Sequence, residues 1–323
     1  MPMQFENLTV SIDGPVATIT LNRPDKLNAL SAGLMSDYDA ALTALSPGDA
    51  VRVIRLRGAG RAFCSGYDLS RSGGSDHSGH GETASAQHDP GDASGDHDDR
   101  VLAGYGESFA LREREGMRQQ AERWLRIWNY RKPVIAQVHG YCLSGGLDLL
   151  STTDLAFAAN GTRFGHPAAR GVGIPVLMGM LPLKIGAAKT KRILFTGDLV
   201  DADAALDWGL VEWVVDPPQL DDRTMEYCQR AAMLPMDALS IHKQAVNRWS
   251  ELMGARLAAL EMADMDALYH TTPAYSEFNR RIAEHGLRHA LEWRDGPFER
   301  VGADDGQQGT AGTRPRHHHP AGG

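Results

Sequence analysis

The sequence predicts an α/β fold on three observations. Two β-branched runs, Val51–Arg57 (VRVIRLR) and Pro133–Val138 (PVIAQV), each lead into a glycine-bearing turn. Stretches with apolar residues every three or four positions alternate with those runs, as repeated strand–helix units do. Near the C-terminus Val246, Trp249, Met253, Leu257 and Leu260 continue the same spacing, which predicts one long amphipathic helix.

The elements follow in order. Leu8, Val10 and Ile12 alternate with Thr9, Ser11 and Asp13, and Ala17, Ile19 and Leu21 alternate with Thr18 and Thr20; with Asp13-Gly14-Pro15 between them, they predict an antiparallel hairpin. A helix then starts at Ser31 as its cap, carries Leu34, Tyr38, Leu42 and Leu45 on one face, and stops before Pro47-Gly48. Strand 51–57 comes next. Met117, Ala121, Trp124 and Trp128 mark a second helix before Lys132-Pro133, and strand 133–138 follows.

The turns after the two central strands are Arg61–Asp68 (RAFCSGYD) and His139–Asp148 (HGYCLSGGLD). Glycine lacks a Cβ and tolerates unusual φ, so a backbone N–H there can closely approach a ligand oxygen. Parallel strand ends aim both loops at one point, the arrangement of an oxyanion hole. Removing one donor from such a hole costs roughly 2.7–4 kcal/mol of transition-state stabilisation. Ser65 and Ser144 lie in these turns without a GxSxG elbow, and no GxGxxG follows any strand, so neither a serine triad nor a dinucleotide site is expected.

On these residues the chain resembles the crotonase superfamily, the enoyl-CoA hydratase/isomerase family. The resemblance rests on VATITLNRPDKLNAL (Val16 to Leu30), GAGRAFCSGYDL (Gly58 to Leu69), PVIAQVHGYCLSGGLDLLSTTDLAFAA (Pro133 to Ala159), RFGHP (Arg163 to Pro167) and LFTGDLVDADAALDWGLV (Leu194 to Val211), in the family's order. It implies a crotonase-like ββα spiral over residues 1–230, a C-terminal helical oligomerisation region over 231–297, and a homotrimer or dimer of trimers. It also implies an acyl-CoA thioester substrate, an enolate intermediate, and no cofactor beyond the coenzyme A of the substrate itself.

Carried over residue by residue, the two oxyanion donors are the N–H groups of Tyr67 and Gly145. Lys26, Leu27, Ala29, Ala62, Ser65, Asp68 and Leu69 are candidate substrate contacts, and Lys243 is a candidate cation for a CoA phosphate, with a solvated surface lysine as its plainer reading. Met178, Met180 and Leu181 are candidates for shaping the acyl pocket. The hydratases of the family use two glutamates. The first position here is Asp148, one methylene shorter, and the second is Ala168, which carries no acid. His166 and Arg170 are candidate catalytic support, with a turn cap for the histidine and a salt bridge for the arginine as the plainer readings. Hydration or dehydration of a 2-enoyl-CoA is the expected reaction. An isomerase or other single-carboxylate reaction, and an acyl-CoA-binding protein without turnover, are the alternatives.

The composition excludes other classes. Of the net charge of −8, seven negative charges fall between Ser72 and Asp99, which contain no Lys or Arg, leaving −1 for the rest. No basic stripe remains to neutralise nucleic-acid phosphates. There is no apolar run of membrane-spanning length and no secretory leader pattern, so a cytoplasmic protein is expected. Cys64, Cys142 and Cys228 have no paired spacing, which predicts neither disulfides nor a zinc site. Residues 71–103, rich in Gly, Ser, Asp and His, are expected to form a flexible insertion, and 298–323 a disordered tail; the histidines of neither predict a metal site.

Overall fold

The computed structural model describes residues 5–69, 109–177 and 180–302, the side chains of 301 and 302 excepted. The insertion expected at 71–103 and the tail beyond 302 lie outside the described residues. A six-stranded sheet forms the centre. Strands β1 (Leu8–Asp13) and β2 (Val16–Leu21) pair antiparallel from Leu8↔Leu21 to Asp13↔Val16, as the hairpin reading requires. Beyond β2 come β3 (Val53–Gly58), β4 (Val134–Val138), β6 (Leu155–Ala159) and β9 (Trp213–Val215), every pair parallel. A smaller sheet carries β5 (Tyr141–Leu143), β7 (Arg163–Gly165) and β8 (Val200–Asp201).

Parallel strands need crossovers, and helices supply them on both faces. On one face lie α1 (Ala32–Leu45) and α2 (Phe109–Trp128). Ser31 caps α1 by accepting the Leu34 N–H, and Leu34, Tyr38, Leu42 and Leu45 are buried on its inner face. In α2 the predicted stripe of Met117, Ala121, Trp124 and Trp128 is buried too. Trp124 is completely enclosed, so its truncation to alanine would cost roughly 3–5 kcal/mol. The opposite face of the sheet packs Val16, Val53, Ile135 and Phe157 against α7 (Leu220–Ala231) and the start of α8 (Met236–Leu252). With both faces covered, β2 loses the expected alternation of burial, whereas edge strand β1 leaves Ile12 exposed.

After β5 the chain forms α3 (Gly145–Ser151), and after β7 a 3-10 turn (Pro167–Arg170). Helices α4 (Leu181–Ile185), α5 (Ala187–Thr196) and α6 (Ala202–Trp208) complete the core. The C-terminal stripe departs from expectation. Gly254, at φ +95, breaks the single predicted helix into α8 and α9 (Ala255–Tyr269). Val246, Trp249, Met253 and Leu257 face outward, each at least 60% exposed, because α9 buries its alanine face (Ala255, Ala259, Ala263, Ala267) and lies along α2. Two further helices, α10 (Pro273–His285) and α11 (Leu287–Gly302), form a hairpin. The tail expected from 298 therefore begins inside a helix, which continues to Gly302.

Candidate active site

The two glycine turns lie side by side as a continuation of the sheet. Phe63 N–H donates to His139 O (2.9 Å), Cys64 N–H to Tyr141 O (3.0 Å), and Leu143 N–H to Cys64 O (2.9 Å), with Cys64 and Cys142 paired as a parallel bridge. This ladder brings Gly66 against Ser144 and Gly145: a Cβ on Gly66 would lie 2.9 Å from Ser144 Cβ and 3.3 Å from Gly145 N. Ser144 itself adopts φ +49, a conformation L side chains rarely take, as the chain turns from β5 into α3. Gly145 opens that helix, so its N–H has no acceptor within the helix. Burial raises the Cys64 and Cys142 thiols, Cys64 to about 12, which leaves both protonated and unsuited to nucleophilic chemistry.

A cavity of ≈ 420 Å³ opens beside these turns, bordered by Tyr67, Leu143 and Ser144 on one side. Lys26, Leu27, Ala29, Ser65, Asp68 and Leu69 border it too. Arg23 ties the Asp68 carboxylate (2.7 Å) and the Ala29 carbonyl (2.5 Å) together. Ala62 does not border the cavity: it is fully buried, and its carbonyl accepts from Asn28 Nδ2 at 2.8 Å. Asn28 passed unnoticed in the sequence. Buried at φ +55, it also donates to Ala59 O (2.9 Å) and accepts from Arg23 N–H (2.9 Å), clamping the 24–30 segment to the first turn.

Tyr67 and Asp148 form a unit. The phenol donates to Asp148 Oδ2 (2.8 Å) and accepts from Trp124 Nε1 (3.1 Å) and from Gln120, which engages its one proton and both lone pairs. Its ring lies over Gly145, where a Cβ would come within 2.8 Å of it. Asp148 Oδ1 accepts the Leu177 N–H (2.9 Å), and Val176 N–H bonds the same carboxylate. Burial raises Asp148 to about 7, against the opposing pull of these donors. Asp148 is 1% exposed and does not border the cavity, whereas its partner Tyr67 does.

The support residues separate. His166 borders the cavity, is 3% exposed, and donates from Nε2 to Gly173 O (2.9 Å). Burial lowers it to about 4, so it is neutral at pH 7, and its Nδ1 lone pair has no partner among the described residues. Arg170 takes its plainer reading, a salt-bridge residue, with no ion pair to Asp148. It binds Asp198 (3.0 Å), Asp295 (3.2 Å) and the Thr196 carbonyl (2.7 Å), with its guanidinium 4.2 Å over the Phe298 ring, because the 3-10 turn directs it toward α11. Ala168 does border the cavity. Lys243 is buried in a salt bridge with Asp154 (2.8 Å), away from this cavity, and Met180 and Leu181 are core residues; Met178 lies outside the described residues. Among the described residues no three His, Cys, Asp or Glu side chains are arranged to hold a metal ion, and no helix is long and apolar enough to cross a membrane.

Comparisons with known proteins give the family and the fold. The family profile described as enoyl-CoA hydratase/isomerase matches residues 11–90 and 103–300. The chain is 32% identical to a "Probable enoyl-CoA hydratase" of Rhizobium meliloti (strain 1021), over 83% of this chain and 92% of that protein. It is 28% identical to a "Short-chain-enoyl-CoA hydratase" of Clostridium acetobutylicum, over 76% and 83%. Among solved structures, an enoyl-CoA hydratase/isomerase from Xanthobacter autotrophicus Py2 superposes with a TM-score of 0.75 at 28% identity, covering 91% of this chain and 99% of that one.

Proposed function

Since the chain belongs to the enoyl-CoA hydratase/isomerase family and has the crotonase fold, we propose that it adds water reversibly to a 2-enoyl-CoA, through an enolate held by the Tyr67 and Gly145 N–H groups. The observation that carries this reading is the main-chain ladder between the two turns, which makes one rigid unit of both donors. When water adds at C3, the electrons of the C2=C3 bond move to the thioester oxygen. Two fixed amide dipoles there stabilise the developing charge without reorganising. The substrate's own CoA moiety runs past Lys26, Leu27, Ala29, Ser65 and Leu69, and no separate cofactor is needed.

Asp148 is the acid–base group beside the hole. A carboxyl that titrates near 7 is matched to proton transfer at neutral pH. It reaches a substrate proton when the Tyr67 phenol rotates off Oδ2. The outward apolar face of Val246, Trp249, Met253 and Leu257 supports a homotrimer or dimer of trimers, which light scattering would measure.

A second reading, an acyl-CoA binder without turnover, is favoured by Ala168 and by the covered Asp148 carboxylate. Loss of the enoyl absorbance of crotonyl-CoA and longer 2-enoyl-CoAs separates the two. Turnover abolished by Asp148→Asn supports the hydratase; tight thioester binding with no product from any enoyl, hydroxyacyl or β-keto ester supports the binder.

A further inference from the structure

Three ionisable side chains, Glu113 of α2, Asp266 of α9 and His270 at the end of α9, meet in the interior. Glu113, His270 and Asp266 are 6%, 3% and 5% exposed, and both Asp266 and His270 border the cavity. His270 Nδ1 lies 2.7 Å from Glu113 Oε1. A carboxylate only accepts, so the proton resides on Nδ1, and Nε2 is turned toward Asp266 Oδ1 at 3.7 Å. This is the layout of an imidazole oriented by one carboxylate. Tyr275 of α10 stacks on the ring at 4.2 Å, and Arg294 of α11 and His166 border the same space.

The position of the cluster matters as much as its composition. Gly173 N–H donates to Ala168 O (3.2 Å), and a Cβ on Gly173 would lie 2.6 Å from Asp266 Oδ1 and 3.3 Å from His270 Nε2. Through those contacts the Asp266 carboxyl is under about 9 Å from the backbone oxygen of Ala168, the residue that carries no acid. One backbone segment serves both carboxylates: Ile174 N–H donates to Asp266 Oδ1 (2.9 Å), and Leu177 N–H to Asp148 Oδ1 (2.9 Å). The charge of Asp266 is felt at Asp148. Burial holds Asp266 up at about 6, which keeps a protonated fraction near neutrality. His166 Nδ1, buried and without a partner among the described residues, adds an acceptor for a water or substrate hydroxyl on the same wall.

We propose that Asp266 and His270, oriented by Glu113, are the second acid–base group of this enzyme and take the place of the carboxyl missing at position 168. The proposal rests on the hydratase reading above. In the hydration direction an O–H bond of water breaks and its proton passes to the Asp148 carboxylate, while the water oxygen bonds to C3 and the π electrons move to the thioester oxygen. The enolate then collapses, and C2 takes a proton from the Asp266 carboxyl. Solvent takes the proton from Asp148 and resupplies Asp266 by way of His270 Nε2, 3.7 Å from its carboxyl, which restores every group. Glu113 touches no reacting atom and is a positioning residue.

The experiment uses the full chain and two assays: hydration of crotonyl-CoA, and exchange of the C2 protons of butyryl-CoA in D2O followed by mass spectrometry. Exchange requires a base and the oxyanion hole but no addition of water. Asp266→Asn and His270→Gln are expected to lower kcat and the exchange rate by about 100-fold or more, with KM changed by less than about threefold. Wild-type turnover with a smaller loss in both variants overturns this assignment and leaves the hydratase reading standing. Exchange without hydration in the wild type defeats the hydratase reading, and exchange in the variants then decides this one by the same threshold. A wild type that binds thioesters but neither hydrates nor exchanges overturns both. If neither variant folds, Glu113→Gln decides: a fall in kcat of about tenfold or more at unchanged KM supports the cluster, and a smaller fall overturns it.

Discussion

Asp148 and Asp266 are two buried carboxylates a few residues apart in the backbone segment that serves them, yet their surroundings differ. Each accepts an N–H from the stretch 174–177, and burial raises both, to about 7 and about 6. Asp148 has its remaining oxygen taken by Tyr67 and does not border the cavity, whereas Asp266 stands on the cavity wall beside an imidazole. A perturbed titration marks both as functional candidates; only access to the cavity tells which is ready to exchange a proton with a ligand.

Four measurements test that contrast. The largest effects are expected from paired glycine substitutions. Gly145→Ala drives a methyl into the Tyr67 ring, and Gly173→Ala drives one into the Asp266 carboxyl. Displacements near 1 Å cost about 100-fold in rate, so each should lower kcat/KM by about that factor. The contrast fails if Gly173→Ala leaves hydration kinetics unchanged.

Stability against pH comes next. A carboxyl whose folded value lies above its unfolded one stabilises the fold fully below the unfolded value, and that contribution is lost as pH rises through the folded value. For Asp148 the window runs from the ordinary carboxylate range up to about 7. Asp148→Asn should therefore gain in melting temperature relative to wild type between pH 5 and pH 8, as thermal denaturation at the two pH values would reveal. His166, lowered to about 4, works in the opposite direction: its contribution is present above 6.5 and lost as pH falls toward 4. The comparison of variant with wild type cancels it.

Tyr67→Phe deletes a hydrogen bond that stabilises the ionised form of Asp148. The limb of the kcat/KM profile that belongs to this carboxyl should move to higher pH, by under about one unit for a bond worth about 1 kcal/mol. A downward shift would mean that the phenol competes with the charged form instead. The smallest effect is expected from Arg170→Ala. Its partners lie on the side of α11, so turnover should stay within about twofold of wild type while chemical denaturation shows a loss of about 1 kcal/mol.

How much of this was legible in the sequence depends on whether the relevant contacts are local. The hairpin, the Ser31 cap, the inner faces of α1 and α2, and the two glycine turns all follow from spacing within a dozen residues, and the structure has them. The stripe from Val246 to Leu260 misled because its periodicity runs through Gly254, whose positive φ ends one helix and starts another at a new angle. Arg170 was placed by nearness to Ala168, but the direction of a side chain on a 3-10 turn is set by tertiary neighbours. The Glu113–His270 contact joins residues 157 apart, and Glu113 sits in an Arg/Glu-rich stretch that reads as a solvated helix face. No periodicity signals a buried polar pair of that kind. Asn28 was likewise hidden, since its worth comes from three backbone partners that only the fold assembles.

The ladder joining Phe63, Cys64 and Leu143 to the opposite turn has an evolutionary consequence. It is written entirely in peptide atoms, so side chains along it can be exchanged without disturbing the alignment of the two amides. Lineages are then at liberty to diverge in the residues that set specificity and proton traffic, even to relocate an acid from one wall to another, while inheriting the same grip on a carbonyl oxygen.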